Sequence, residues 1–249
     1  MDPNKSLARR AGLLYLLAGL PAPFAYFYVP GALLVEGDAL ATADRVRASE
    51  GLLRAGIIAE LLGVTLVIFA VLAFYQLFKR VEPRTSVVMA VLMLVSVPIS
   101  YVNALNHIAP LVLLKSPAIT AVLDPGQVAA QVTLFLRLHG HGLVIAQIFW
   151  GLWLAPFGLL IMRSGFIPRW LAFPLFIAGT GYVVSSLGML LLPPSLRWVA
   201  QYAQVLGVGE MPIVVWLLIW GARSPSSAGR VPKPEMAAVT LRPDEAPPN

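Results

Sequence analysis

The sequence predicts an all-α membrane protein, a bundle of six transmembrane helices with both termini cytoplasmic. Three observations predict it. The chain has 249 residues, 58% hydrophobic and 12% charged, where soluble domains run about 45–50% apolar and about 25% charged. That is more apolar surface than a soluble core of this size can bury, so the bilayer is the natural solvent. Six apolar segments reach the length of about 20 residues that crosses about 30 Å of hydrocarbon. The 18 Lys and Arg divide unevenly between the two ends of those segments.

The spans follow in order. A basic start, residues 1–10 with Lys5, Arg9 and Arg10, precedes the first span at 11–35. The second span, 51–78, stops at Lys79-Arg80, and the third, 86–114, stops at Lys115. The fourth, 127–162, is densest from Gly142 onward and stops at Arg163. The fifth, 170–192, ends at Pro193-Pro194, and the sixth, 199–220, stops before Arg223. Pro83 and Pro168 fall in short basic turns, where a helix cannot continue. Those turns make spans two and three, and spans four and five, antiparallel neighbours. Asp38 to Glu50 reads as a short surface helix. Gln127 to Leu138, after the turn Asp124-Pro125-Gly126, reads as an outer extension of the fourth helix or as a separate interfacial helix. Residues 222–249, with Pro225, Pro232, Pro234, Pro243, Pro247 and Pro248, have no apolar periodicity and read as a disordered cytoplasmic tail.

Counting Lys and Arg by side places twelve with the termini and six opposite, which accounts for all 18. The richer side is the cytoplasmic one. The net charge of +6 is thereby explained by topology, and no basic cluster or phosphate loop points to nucleic acid. The absence of Cys removes thiol catalysis and thiolate metal sites. A disordered chain, a disulfide scaffold and an ordinary soluble enzyme are excluded as well.

Polar residues inside spans are costly and are therefore candidates for function. At 1.5 Å rise per residue, Glu60 lies roughly 27 Å above the cytoplasmic end of its span, Asn103 roughly 26 Å, and His107 and His141 roughly 31 Å, with His139 slightly higher. Gln204 lies roughly 24 Å up and Glu210 roughly 15 Å. The inner half of the bundle is almost purely apolar. The expectation is an outward-facing polar pocket lined by Glu60, Asn103, Asn106, His107, His139, Gln204 and Glu210, with Glu210 as its floor. Asn103, Asn106 and His107 share one helix face. His139 and His141 point about 200° apart on a regular helix, so only one looks inward. Gly207, Gly209 and Pro212 favour a broken sixth helix around Glu210. His107, His139 and Glu60 are the candidate metal ligands, because a catalytic zinc takes three protein ligands and keeps an open position. Asn103 and Asn106 read equally as hydrogen-bonding glue between helices.

The start Ala8-Arg9-Arg10-Ala11-Gly12-Leu13-Leu14-Tyr15-Leu16-Leu17 carries a family resemblance. So do Leu138-His139-Gly140-His141-Gly142, Phe149-Trp150-Gly151-Leu152-Trp153 and Arg163-Ser164-Gly165-Phe166-Ile167-Pro168-Arg169. From about Leu7 to Gly221 the chain resembles the bacterial integral membrane family catalogued as domain of unknown function 4386. In that pattern a His precedes the Gly-containing start of the fourth span, which falls on His139. The resemblance implies a six-span fold in the bacterial cytoplasmic membrane and implies no activity or cofactor.

Three functional readings stand at this point. The first is a membrane protein that binds a small molecule or lipid in the outward pocket. The second is a membrane-embedded, metal-assisted hydrolase-type enzyme using Glu or His as base. The third is a structural or partner-binding subunit. The ligand, the reaction, any cofactor and the oligomeric state are not fixed by the sequence.

Overall fold

The computed structural model describes residues 3–222. The expected tail, 222–249, lies outside the described residues from 223 onward. Among the described residues there is no strand, and six helical runs are long and apolar enough to cross a membrane: Asn4–Leu33, Glu50–Phe78, Pro83–Lys115, Pro125–Ser164, Arg169–Leu191 and Pro194–Ile219. The chain is a multi-pass membrane protein.

The first span is not one helix. Helix α1 (Pro3–Gly19) begins well inside the segment expected as a separate cytoplasmic start. Pro21 and Pro23 then interrupt the backbone ladder. The chain continues as a π-helical turn, Phe24–Tyr28, and a short α2 (Val29–Leu33). Helix α3 (Ala39–Ala48) lies at the end of the bundle away from the start of α1, its own start capped by Asp38, whose carboxylate accepts from the Ala41 N–H. Helices α4 (Glu50–Phe78) and α5 (Pro83–Lys115) form the second and third spans. A short α6 (Pro117–Thr120) follows.

Helix α7 (Pro125–Leu152) starts with a capping box between Asp124 and Gln127. It runs unbroken through Gly140 and Gly142, so the Gln127–Leu138 stretch is an outer extension of the fourth helix. The span then bends at Trp153 into α8 (Leu154–Ser164), which ends on Gly165 in the left-handed region at φ 70°. Helix α9 (Ala172–Leu191) is the fifth span. The sixth is broken into α10 (Arg197–Val205), a 3-10 stretch Leu206–Glu210, and α11 (Met211–Ile219).

Side chains sort as they do in a bilayer. Ile58, Leu62 and Phe69 of α4, and Val91, Val102 and Leu105 of α5, are all more than half exposed and form the lipid-contacting surface. Inside lie two apolar clusters. The inner one gathers Phe74, Phe78, Met89, Trp153, Phe157, Leu160 and Leu175. The outer one gathers Val29, Leu33, Leu53, Leu111, Val132 and Leu136. Along α4, Glu60 falls between Leu53 of the outer cluster and Phe74 of the inner one. The polar residues are thus held in a layer between two apolar ones.

Candidate functional site

The site is built where α4, α5 and α7 meet. Its geometry begins with a glycine. A Cβ at Gly142 would lie 1.9 Å from Asn103 Oδ1 and 2.3 Å from its Cγ, so only glycine lets α5 and α7 close together there. That approach lets the Asn103 amide donate to the backbone carbonyl of His139 at 2.9 Å. Asn106 Nδ2 in turn donates to Asn103 Oδ1 at 3.0 Å. The two Asn thus clamp α7 at the residue that carries the imidazole.

His139 Nε2 lies 2.9 Å and 3.1 Å from the two carboxylate oxygens of Glu60. The His107 ring stacks on the His139 ring, with centroids 3.3 Å apart and planes 15° apart. His107 Nδ1 faces the same carboxylate at 3.6 Å, too far for a hydrogen bond. It has no hydrogen-bond partner among the described residues. One ligating atom from each of Glu60, His107 and His139 lies within 4.8 Å of the others. Glu60, His107 and His139 are 1%, 2% and 1% exposed. The three groups form a closed, preassembled constellation rather than the lining of an open pocket.

The first span covers Glu60. A Cβ at Gly56 would meet Val29, and one at Gly63 would meet the Ala18 carbonyl and Pro21. The π-helical turn between those contacts therefore lies over the face of α4 that bears Glu60. Tyr26 of that turn stacks on Trp150 of α7 at 6.0 Å.

Of the residues expected together, the structure brings Glu60, Asn103, Asn106, His107 and His139 to one place. It does not bring Gln204 or Glu210 there. The sixth span packs on α9 and α1: a Cβ at Gly209 would sit 2.4 Å from the Pro174 carbonyl, and one at Gly207 would meet the Tyr182 hydroxyl. These contacts hold the broken stretch against α9, leaving Gln204 exposed and Glu210 partly exposed. Glu210 is therefore not the floor of the Glu60 site. His141 points outward, its Nδ1 2.9 Å from the Arg137 carbonyl, while His139 points in.

Two features went unread in the sequence. Gly142 looks in the sequence like any glycine of an apolar span, yet its role is close approach. Gln147 is the other: it is 5% exposed and lies on α7 about two turns from His139. A polar residue eight positions from an inward His is the signal that marks it.

A family model described as "Domain of unknown function (DUF4386)" matches residues 10–221. An archaeal protein from Archaeoglobus fulgidus, described as "Uncharacterized protein", is 35% identical over 83 residues, which is 32% of this chain and 46% of the relative. The chain thus spans less than half the length of that relative. No solved structure matches.

Proposed function

This chain belongs to the DUF4386 family, and we propose that it is a membrane metalloprotein whose Glu60, His107 and His139 hold one divalent transition-metal ion. The observation that supports this above the rest is the convergence of three buried ligating atoms within 4.8 Å, one of them, His107 Nδ1, without a hydrogen bond. A buried nitrogen left unpaired is rare in native proteins and calls for an explanation. A cation shared by the carboxylate and both imidazoles supplies one.

The donor set fits. Two His and one carboxylate, with a position left open, are the ligands of catalytic zinc sites, and the same trio serves ferrous iron. A bound ion would supply Lewis acidity and a more acidic bound water. The chain's own part is positioning: Asn103 and Asn106 fix the α7 backbone at His139, and the apolar clusters exclude bulk water. The enzymatic reading, a metal-assisted hydrolase-type activity, rests on this site. Binding of a small molecule or lipid in an open pocket has less support, because the cluster is closed. The twelve-to-six Lys and Arg asymmetry supports cytoplasmic termini, and the family resemblance supports the bacterial cytoplasmic membrane; the metal site then lies in the outer half.

Elemental analysis of the full chain, purified in detergent without chelator, tests the proposal. We expect close to one metal ion per chain, lost in Glu60→Gln and in His139→Ala and retained in Gly165→Ala, a remote control. After chelation, adding Zn²⁺ should raise the thermal midpoint. The expected gain approaches about 4 kcal/mol at a thousandfold excess over Kd. A wild type that is metal-free and indifferent to Zn²⁺, Fe²⁺ and Mn²⁺ would overturn the reading and leave the trio as a hydrogen-bonded lock between helices.

A further inference from the structure

Two further buried polar side chains lie outside the Glu60 site. Gln147 of α7 is 5% exposed and Ser186 of α9 is 0% exposed. Gln147 Nε2 and Ser186 Oγ both lack a hydrogen-bond partner among the described residues. The two helices show where they face each other. A Cβ at Gly151 would lie 2.6 Å from the Gly179 carbonyl, and a Cβ at Gly179 would lie 2.7 Å from the Gly151 carbonyl. Gln147 is four residues from Gly151 and turned about 40° from it; Ser186 is seven residues from Gly179 and turned about 20°. The helices are antiparallel, so both residues lie outward of the glycine contact, roughly 6 Å and 10 Å along it. Gln147 and Ser186 therefore occupy the facing surfaces of one seam.

The amide offers two N–H donors, and the hydroxyl offers one donor and two lone pairs. Unpaired, both would be costly in an apolar bundle. Ordered water with several polar partners satisfies such groups in native proteins. On the other side of α7, Asn103 sits against Gly142, which puts Gln147 level with the stretch from Ser96 to Ser100. Ser96 and Ser100 are each 2% exposed. The whole layer lies about 12 Å inward of His139.

We propose that Gln147 and Ser186 form an internal hydration site, a water molecule bound in the α7–α9 seam. It is a neutral hydrogen-bonding subsite, distinct from the acidic Glu60 centre and independent of whether that centre holds metal. It extends the polar interior inward toward the middle of the bundle, where composition alone predicts dry packing.

X-ray radiolytic footprinting of the full-length protein in detergent tests it, because a bound water activated in place labels its neighbours. Tyr182 and Met189 flank Ser186 by about one turn on either side and are the reporters. Phe157, 0% exposed in the inner apolar cluster, is the dry reference. Tyr182 and Met189 are themselves partly exposed, so the reading is the difference between proteins: their labelling, scaled to Phe157, should fall severalfold in the Gln147→Leu/Ser186→Ala double variant, which removes the polar partners that a buried water needs. Equal labelling in variant and wild type overturns the proposal. If the double variant does not fold, Gln147→Met with Ser186 intact gives the same reading, since it keeps the volume and removes the amide.

Discussion

Gly142→Ala perturbs the site without touching any ionisable group. The new methyl would arrive 1.9 Å from Asn103 Oδ1, 2.3 Å from Cγ and 2.8 Å from Nδ2. Ordinary contact begins near 3.4 Å, so no small adjustment suffices. Asn103 must swing away, or α5 and α7 must part. Overpacking of a tight interior costs about 1–3 kcal/mol. Swinging Asn103 away also breaks its 2.9 Å bond to the His139 carbonyl, and interhelical hydrogen bonds in membranes are worth about 0.6–1.7 kcal/mol. The expected destabilisation is roughly 2–5 kcal/mol, or about 30-fold to 4,000-fold in the folding equilibrium at tenfold per 1.4 kcal/mol. Unfolding by SDS in mixed micelles, followed by circular dichroism, reads this directly. The diagnostic is non-additivity: once Asn103 is Ala, the clash is gone, so Gly142→Ala in an Asn103→Ala background should cost far less than in the wild type. If Gly142→Ala leaves the midpoint unchanged, or if the two substitutions simply add, the close approach is not what holds α7 at His139.

Further outcomes follow from other parts of the structure. Asn103→Ala removes a group that orients a metal-bearing helix without binding the ion, and should weaken metal affinity about 10–100-fold, measured by chelator competition; unchanged affinity would deny Asn103 that positioning role. Gly165→Ala, at φ 70° with nothing within 4 Å of its Cβ, should cost about 1 kcal/mol through backbone strain, while Gly19→Ala, with the same open space and no positive φ, should cost nothing measurable in the same titration. At the end of the bundle that carries the termini, the Arg163 guanidinium bonded to Glu82 holds that carboxyl below its ordinary value of 4.5. A depressed folded-state value stabilises above the unfolded value and loses that contribution as pH falls through the folded one. Glu82→Gln should therefore flatten the loss of stability below about pH 4.5 and change nothing at pH 7 beyond a uniform offset. The chain has no Cys, so single-Cys variants report alone: an impermeant thiol reagent should label Thr120→Cys in intact cells and Arg84→Cys only after lysis, and the reverse would invert the topology.

The six spans were legible because the bilayer demands long unbroken apolar runs, and nothing else in the sequence competes with that signal. The burial of polar residues was legible for a related reason: Glu60, His107 and His139 had no other reason to be there. Depth was readable, since rise per residue is fixed. Direction was readable only where two residues share a helix, as for His139 against His141. Which helices meet was not readable, and Gln204 and Glu210 show why. They sit at credible depths, but Gly207 and Gly209 dock the sixth span on Tyr182 and Pro174 of the fifth, away from Glu60. Glycine at a contact looks the same in sequence as glycine at a break. Gly142 illustrates the same ambiguity, since nothing in its sequence setting marks it as the contact it is.

The two apolar clusters around Glu60 also decide how dissolved salt acts on this molecule. At the outer surface, Glu50 pairs with Arg54 and Lys115, each at 2.7 Å, and Glu36 pairs with Arg137 at 3.1 Å. Counterions reach those groups, and the screening length falls from about 8 Å at physiological ionic strength to about 3 Å at 1 M, so added salt weakens such exposed pairs. Glu60, 1% exposed, lies in the layer between the two apolar clusters, where no diffuse ion atmosphere screens it. Raising the ionic strength therefore weakens the surface pairs at the loops, while interactions within the buried Glu60 layer are screened far less.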